Sequence, residues 1–344
     1  MRFPEFLKEH GTIGFVAPSF GCATEPYYTA FKNARYKFEA MGYHTQLGPN
    51  CLVEKGIGIS NEPQLCGAEL NESYCGNDND VIISCGGGEL MCEVVPFIDF
   101  AKIAQAKPKW YVGFSDNTNF TFLSATLADT AAIYGPCASA YGMEPWHKSI
   151  QDTFDLLCGK RKKVHNYDLW ERESLKDETN PLAPYHLTEP MKIKVFPAEK
   201  ENVQMKGRLI GGCMDCLVNL VGTKYDRVKE FNERYANDGF LWFLEACDLN
   251  VMSIRRAIWH MKEAGWFSNV RGFLIGRPLC FGEEAFGIDQ YRAVTDLLAE
   301  YEVPIVMDLD IGHLSPMMPV VTGAMAAVSV SEDNNTFTMD YEWR

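Results

Sequence analysis

The sequence predicts an α/β protein: an N-terminal domain on a doubly wound, mostly parallel sheet, plus a smaller C-terminal β/α domain. Three observations carry this reading. Short apolar runs alternate with stretches of helical periodicity through the first third of the chain, the pattern of a parallel sheet covered by helices. The alternation fades over residues 146–206, where WERESLKDETNPLAPYHLTEP is polar and broken by proline, as expected of a connection with loops. It resumes at Gly207. A length of 344 residues suits two domains or one large one. The expected division is 1–145, carrying a candidate nucleophile, 146–206 as the connection, and 207–344, carrying a candidate acid and histidine.

The elements follow in order. Residues 12–17 (TIGFVA) form a buried-strand candidate that stops at Pro18-Ser19. Phe31, Ala34, Phe38 and Met41 recur at helical spacing, and Gly42 stands at the expected stop. A helical stretch around 63–70 leads to a strand at 81–85 (VIISC), bounded by Gly86-Gly87-Gly88. Another helical stretch over 89–104 precedes a strand at 110–113, and Ser115-Asp116-Asn117-Thr118 opens the next helix. Loops at the C-terminal ends of such strands hold ligands, which puts 86–89 and 114–117 on the binding edge. Beyond Gly207, Leu217, Leu220 and Val221 share one helix face, and FLWFL at 240–244 suits a buried strand. Ile254, Ala257, Ile258 and Met261 place a helix over 253–264 that Gly265 ends, and 273–275, 305–307 and 326–330 supply further strands.

Composition excludes several classes. Apolar residues make up 47% and charged residues 23%, ordinary for a globular protein and unlike a disordered or collagen-like chain. The net charge of −14 repels phosphate backbones and anionic lipid, so nucleic-acid and membrane-surface partners are not expected. The basic run Lys160, Arg161, Lys162, Lys163 reads as a solvated loop. The first residues, MRFPEFLKEHG, lack the apolar core of a signal peptide, and no apolar run spans a membrane. Twelve scattered cysteines read as reduced thiols, giving a cytoplasmic expectation. Cys213 and Cys216 have C-x-x-C spacing, but no second pair completes a zinc ribbon.

Three segments could carry chemistry, each at the end of an expected strand. In Gly113-Phe114-Ser115-Asp116-Asn117-Thr118 a serine between strand and helix has its hydroxyl exposed, near backbone N–H groups that suit an oxyanion. Asn117 replaces the second glycine of a G-x-S-x-G elbow, and all four polar residues are also ordinary helix caps. In the second segment Glu245 follows an apolar strand directly and needs a partner there; it could orient a histidine, or simply be a paired or capping acid. Asp248 competes with it. In the third, Asp310-Ile311-Gly312-His313-Leu314-Ser315-Pro316, a turn after a strand presents His313 as the best of seven histidines for a general base. Gly86-Gly87-Gly88 offers close backbone approach but matches neither the P-loop nor the dinucleotide pattern. No H-E-x-x-H or comparable ligand cluster supports a metal. Together these favour a serine hydrolase in the chain order serine, acid, histidine, without metal or other cofactor. A non-catalytic α/β protein binding a small ligand, with Ser115 merely a cap, is the alternative.

The ordered segments GTIGFVAPS, ISCGGGE, KWYVGFSDNT, GRLIGGCMDCLVNLVGT, FLWFLEACD, VRGFLIGRP and DIGHLSPMMPVVTGA resemble the serine LD-carboxypeptidase family, which includes murein tetrapeptide carboxypeptidases and microcin C immunity peptidases. The resemblance implies Ser115 as nucleophile, His313 as general base and acid, and Glu245 as the carboxylate orienting it. It implies an oxyanion hole from the N–H of Asp116 with Gly87 or Gly88. It also implies a triad divided between two domains, and a homodimer. Cys213 stands where relatives commonly carry Asn, and Glu89 where they carry an aromatic or polar residue. The long connection resembles the immunity-type branch, in which Trp170 could stack on a base. The implied substrate is a small peptide or an aminoacyl-nucleotide-like conjugate.

Overall fold

The structure, a computed structural model, describes residues 1–197 and 202–343. The chain divides into two units of nearly equal length, residues 1–161 with 173–186, and residues 162–172 with 187–344.

The first unit is built on five parallel strands: β1 (Thr12–Val16), β2 (His44–Leu47), β3 (Val81–Ser84), β4 (Tyr111–Gly113) and β5 (Ala132–Tyr134). They lie in the order β5-β4-β3-β1-β2. The reversal of winding falls between β1 and β3, the crevice where doubly wound sheets take ligands. All of β3, β4 and β5 is buried, so these strands read as unbroken apolar runs rather than alternating ones. Helices α1 (Tyr27–Ala40), α2 (Pro63–Cys75), α3 (Met91–Val94), α4 (Phe100–Gln105), α5 (Thr118–Ala128) and α6 (Lys148–Leu157) complete the unit.

Sequence and structure differ in three places here. Met41 lies beyond α1, exposed at its C-cap, while Ala30, Phe31, Ala34 and Phe38 form the buried stripe. The single helical stretch over 89–104 is two short helices, because a 3-10 turn containing Pro96 intervenes and Asp99 caps α4 by accepting the Lys102 N–H at 2.9 Å. Residues 146–206 are not all loop. His147 caps α6, accepting the Ser149 N–H at 3.1 Å, and Ile150, Phe154 and Leu157 give that helix its buried stripe. In the basic run, Arg161 pairs with the buried Asp152 at 2.9 Å.

The second unit contains β6 (Lys163–His165), β7 (Leu169–Trp170), β8 (Glu189–Pro190), β9 (Lys194–Phe196), β10 (Asn202–Cys213), α7 (Met214–Leu220), α8 (Val228–Arg234), β11 (Phe240–Glu245), α9 (Val251–Glu263), β12 (Val270–Gly276), β13 (Glu284–Ala285), β14 (Ile288–Asp289), α10 (Gln290–Leu298), β15 (Ile305–Leu309), β16 (Val320–Thr322), β17 (Met325–Ser331) and β18 (Thr336–Glu342). Its main sheet runs β6-β18-β17-β10-β11-β12-β15-β9. The centre, β10 to β15, is parallel, and the strands flanking it are antiparallel. Every residue of β11 is buried. α9 ends where Gly265 takes a φ of +75°, a left-handed stop that glycine adopts without a Cβ penalty. Among the described residues no helix is long and apolar enough to cross a membrane, and the twelve cysteines are free thiols.

Candidate active site

In the first unit the loops after β1, β3 and β4 meet. Ser115 follows β4 with a φ of +62°, a left-handed conformation that costs a residue with a side chain roughly 1–2 kcal/mol. Such outliers mark functional turns more often than ordinary ones. Its N–H donates to Tyr134 Oη at 3.1 Å. Asn117 stands at the N-cap of α5 but makes no side-chain cap bond. It donates instead to the carbonyls of Gly86 (2.8 Å) and Phe114 (3.1 Å), and accepts from the Tyr111 hydroxyl. The turn is therefore tied to the glycine loop.

Asp116 is buried, and its carboxylate accepts from the Ser19 hydroxyl, the Met91 N–H (2.8 Å) and Asn119 Nδ2 (3.0 Å). One side chain thus fixes the β1 loop, the start of α3 and the Ser115 turn. Gly87 lies against Ser115: a Cβ on it would sit 3.0 Å from Ser115 Cβ and 3.2 Å from Oγ. Its carbonyl accepts the Phe20 N–H at 2.7 Å. A Cβ on Gly88 would instead meet Ser19 Oγ and the Gly58 carbonyl. Ser115, Asp116, Gly87 and Gly88 are thus brought together within this unit.

The second unit holds Glu245 and His313. Glu245 closes β11 and is fully buried, and its Oε2 accepts from His313 Nδ1 at 2.8 Å. The His313 side chain keeps 14% of its surface exposed. Gly312 makes the approach possible. Its φ is +105°, and a Cβ there would fall 2.5 Å from Glu245 Oε2. Burial alone would lower the pKa of His313; the Glu245 charge, with hydrogen bonds to Cys247 and Glu245, outweighs it and holds the imidazole well above the usual value. The pair therefore fixes the orientation of the ring, with Nδ1 toward the acid.

Trp170 belongs to the second unit and is 4% exposed. Its Nε1 donates to the Pro190 carbonyl at 3.2 Å, the Phe281 ring packs against it at 5.2 Å, and the Arg277 guanidinium lies 5.1 Å from its centre. Asp248 stays on the loop after β11, its N–H bonded at 2.9 Å to Asp215. Cys213 donates to Asp215 Oδ2 at 3.3 Å.

Sequence reasoning passed over Tyr134, Asp215 and Cys247. Tyr134 ends a strand only three residues long, too short for a periodicity signal. Asp215 lies in the first turn of α7, where an acid reads as a dipole partner.

The profile of the LD-carboxypeptidase N-terminal domain matches residues 13–135, and that of the C-terminal domain matches residues 206–328. The microcin C7 self-immunity protein MccF of Escherichia coli is 26% identical over 279 residues, covering 79% of this chain and 78% of that protein. A Bacillus subtilis protein named "Probable murein peptide carboxypeptidase" is 24% identical over 339 residues, covering 96% of this chain and 92% of that protein. The solved structure of MccF in complex with aspartyl sulfamoyl adenosine superimposes with a TM-score of 0.81 at 20% identity, covering 99% of each chain; that likeness is one of fold.

Proposed function

The chain belongs to the LD-carboxypeptidase family, whose two domain profiles span most of it, and from that premise we propose that it is a serine hydrolase acting through Ser115, His313 and Glu245. The observation that carries the reading is the 2.8 Å bond between His313 Nδ1 and a fully buried Glu245. A lone buried carboxylate is costly, and this one is spent on holding an imidazole. In the proposed cycle His313 Nε2 takes the Ser115 proton as Oγ attacks the amide carbonyl. The N–H groups of Asp116 and Gly87 stabilise the oxyanion, with Gly87 chosen over Gly88 because it is the glycine lying against Ser115. His313 then protonates the leaving amine, and water, deprotonated by His313, releases the acyl group.

The substrate class is a small peptide or an aminoacyl-nucleotide-like conjugate cleaved at an amide, with the protein working in the cytoplasm as a homodimer. Support comes from MccF, solved with an aspartyl sulfamoyl adenosine, and from the relative named for murein peptides. The test is mass spectrometry of wild type and Ser115→Ala, each incubated with a murein tetrapeptide and with an aminoacyl sulfamoyl adenylate. Release of D-Ala by wild type alone supports a cell-wall peptide substrate. Cleavage of the adenylate alone supports the immunity-type substrate. If wild type cleaves neither, or Ser115→Ala matches it, the proposal fails.

A further inference from the structure

We propose that Asp215 is a positioning residue for the Glu245–His313 pair, acting through the backbone that follows β11. The argument starts from how two parallel strands end. β10 and β11 pair in register as far as Cys213 opposite Glu245. There β10 turns into α7, so its carbonyls no longer run alongside the continuing chain. The N–H groups after Glu245 would lose their acceptors at the point where the catalytic carboxylate needs a fixed direction. Asp215, two residues past Cys213, supplies them. Its Oδ2 accepts from the Cys247 N–H at 3.0 Å and its Oδ1 from the Asp248 N–H at 2.9 Å. One carboxylate thereby extends the hydrogen-bonded edge of β11 by two consecutive N–H groups, with the Cys213 thiol as a third donor at 3.3 Å.

This stretch and the end of β11 reach His313 through two groups. Glu245 accepts from Nδ1, and the Cys247 thiol is hydrogen-bonded to the same imidazole. Cys247 lies in the stretch whose N–H groups Asp215 holds and Glu245 two residues before it, so a single side chain bears on the imidazole's orientation through both. Charge-assisted bonds from backbone N–H groups to a carboxylate are among the stronger ones, and the first turn of a helix favours the negative charge.

The inference rests on the proposed role of His313 as base, and the test separates the two. The His313 imidazole is titrated by NMR in full-length protein carrying labelled histidine, its resonance assigned by loss in His313→Gln. In Asp215→Asn an amide nitrogen must face one of the two N–H groups, so one bond is lost. The His313 pKa is then expected to fall toward its ordinary value as Glu245 loosens. Phosphonylation of Ser115 by a fluorophosphonate, read on the plateau at high pH, is expected to slow by about tenfold to a hundredfold. An unchanged His313 titration in the folded variant overturns the proposal, whatever the activity. Absence of Ser115 labelling in wild type counts against the proposed function and leaves the titration readable. Amide hydrogen exchange in wild type gives an independent decision: Cys247 and Asp248 should exchange as slowly as β11, and open-loop rates there overturn the proposal even if the variant does not fold.

Discussion

Nδ1 of His313 and Oε2 of Glu245 stand 2.8 Å apart, the carboxylate fully buried and the imidazole on a turn that only a side-chain-free Gly312 lets so close. In the proposed mechanism the pair depends on the charge of Glu245, and not only on its shape. Glu245→Gln keeps the volume but lets an NH2 group face the imidazole and select the wrong tautomer. By analogy with other triads, kcat should fall about 10³- to 10⁴-fold, with the circular dichroism spectrum unchanged. A variant within tenfold of wild type would remove Glu245 from the mechanism.

The raised pKa of His313 makes activity and stability run in opposite directions with pH. A base at His313, as proposed, must be neutral to act, so kcat/KM should rise with pH through a midpoint above the ordinary histidine value of about 6.5. Stability behaves otherwise. A histidine with a higher pKa in the folded than in the unfolded protein contributes fully below the unfolded pKa, and that contribution is lost as pH rises through the folded one. Thermal melts across this window should show Tm falling with pH, and His313→Gln should lack that part of the slope. An activity midpoint at or below 6.5 contradicts the assignment.

Gly87 separates the glycine loop's role in the site from its role in the fold. An added Cβ would lie 3.0 Å from Ser115 Cβ and 3.2 Å from its Oγ, close enough to push that side chain a few tenths of an ångström. Gly87→Ala should cost about 1 kcal/mol or less in stability. Reaction with a fluorophosphonate should nonetheless drop on the order of a hundredfold, because small misplacements of reacting groups are expensive. Equal labelling rates in the two proteins would mean that this loop does not border the reacting atoms.

Parallel strands buried on both faces were the most legible part of the fold, because IGFV, VII and FLWFL are unbroken apolar runs. The polar edge strand HTQL at 44–47 has no such run and was passed over. The strand at 336–342 was missed for another reason. Phe337, Met339 and Tyr341 alternate with more exposed residues, a period-two signal of an antiparallel strand that a search for βα alternation ignores. Of the candidate site, Ser115, Glu245 and His313 stood out because each lies at the end of an apolar strand or in the turn after one. The side chains that hold them did not. Tyr134, Asp116 and Asp215 act through backbone N–H groups remote in sequence, and nothing in local spacing records such a contact.

Tyr134 offers the last test, because it accepts the N–H of a residue held in an unfavourable conformation. Ser115 keeps a φ of +62°, with its N–H 3.1 Å from the hydroxyl of a fully buried Tyr134. Removing that hydroxyl in Tyr134→Phe leaves the N–H without this acceptor, a loss worth about 1–3 kcal/mol for a buried group. Ser115 is half-buried, so the lower end is expected in denaturant unfolding. Labelling of Ser115 should fall by a larger factor than that stability change alone would give, as the turn relaxes away from its left-handed geometry. Placing glycine at 115 in the same background relieves the strain and should recover part of the stability with none of the labelling. If Tyr134→Phe instead reacts at the wild-type rate, the turn is held by the Asn117 and Asp116 contacts alone, and the phenol is only a packed ring.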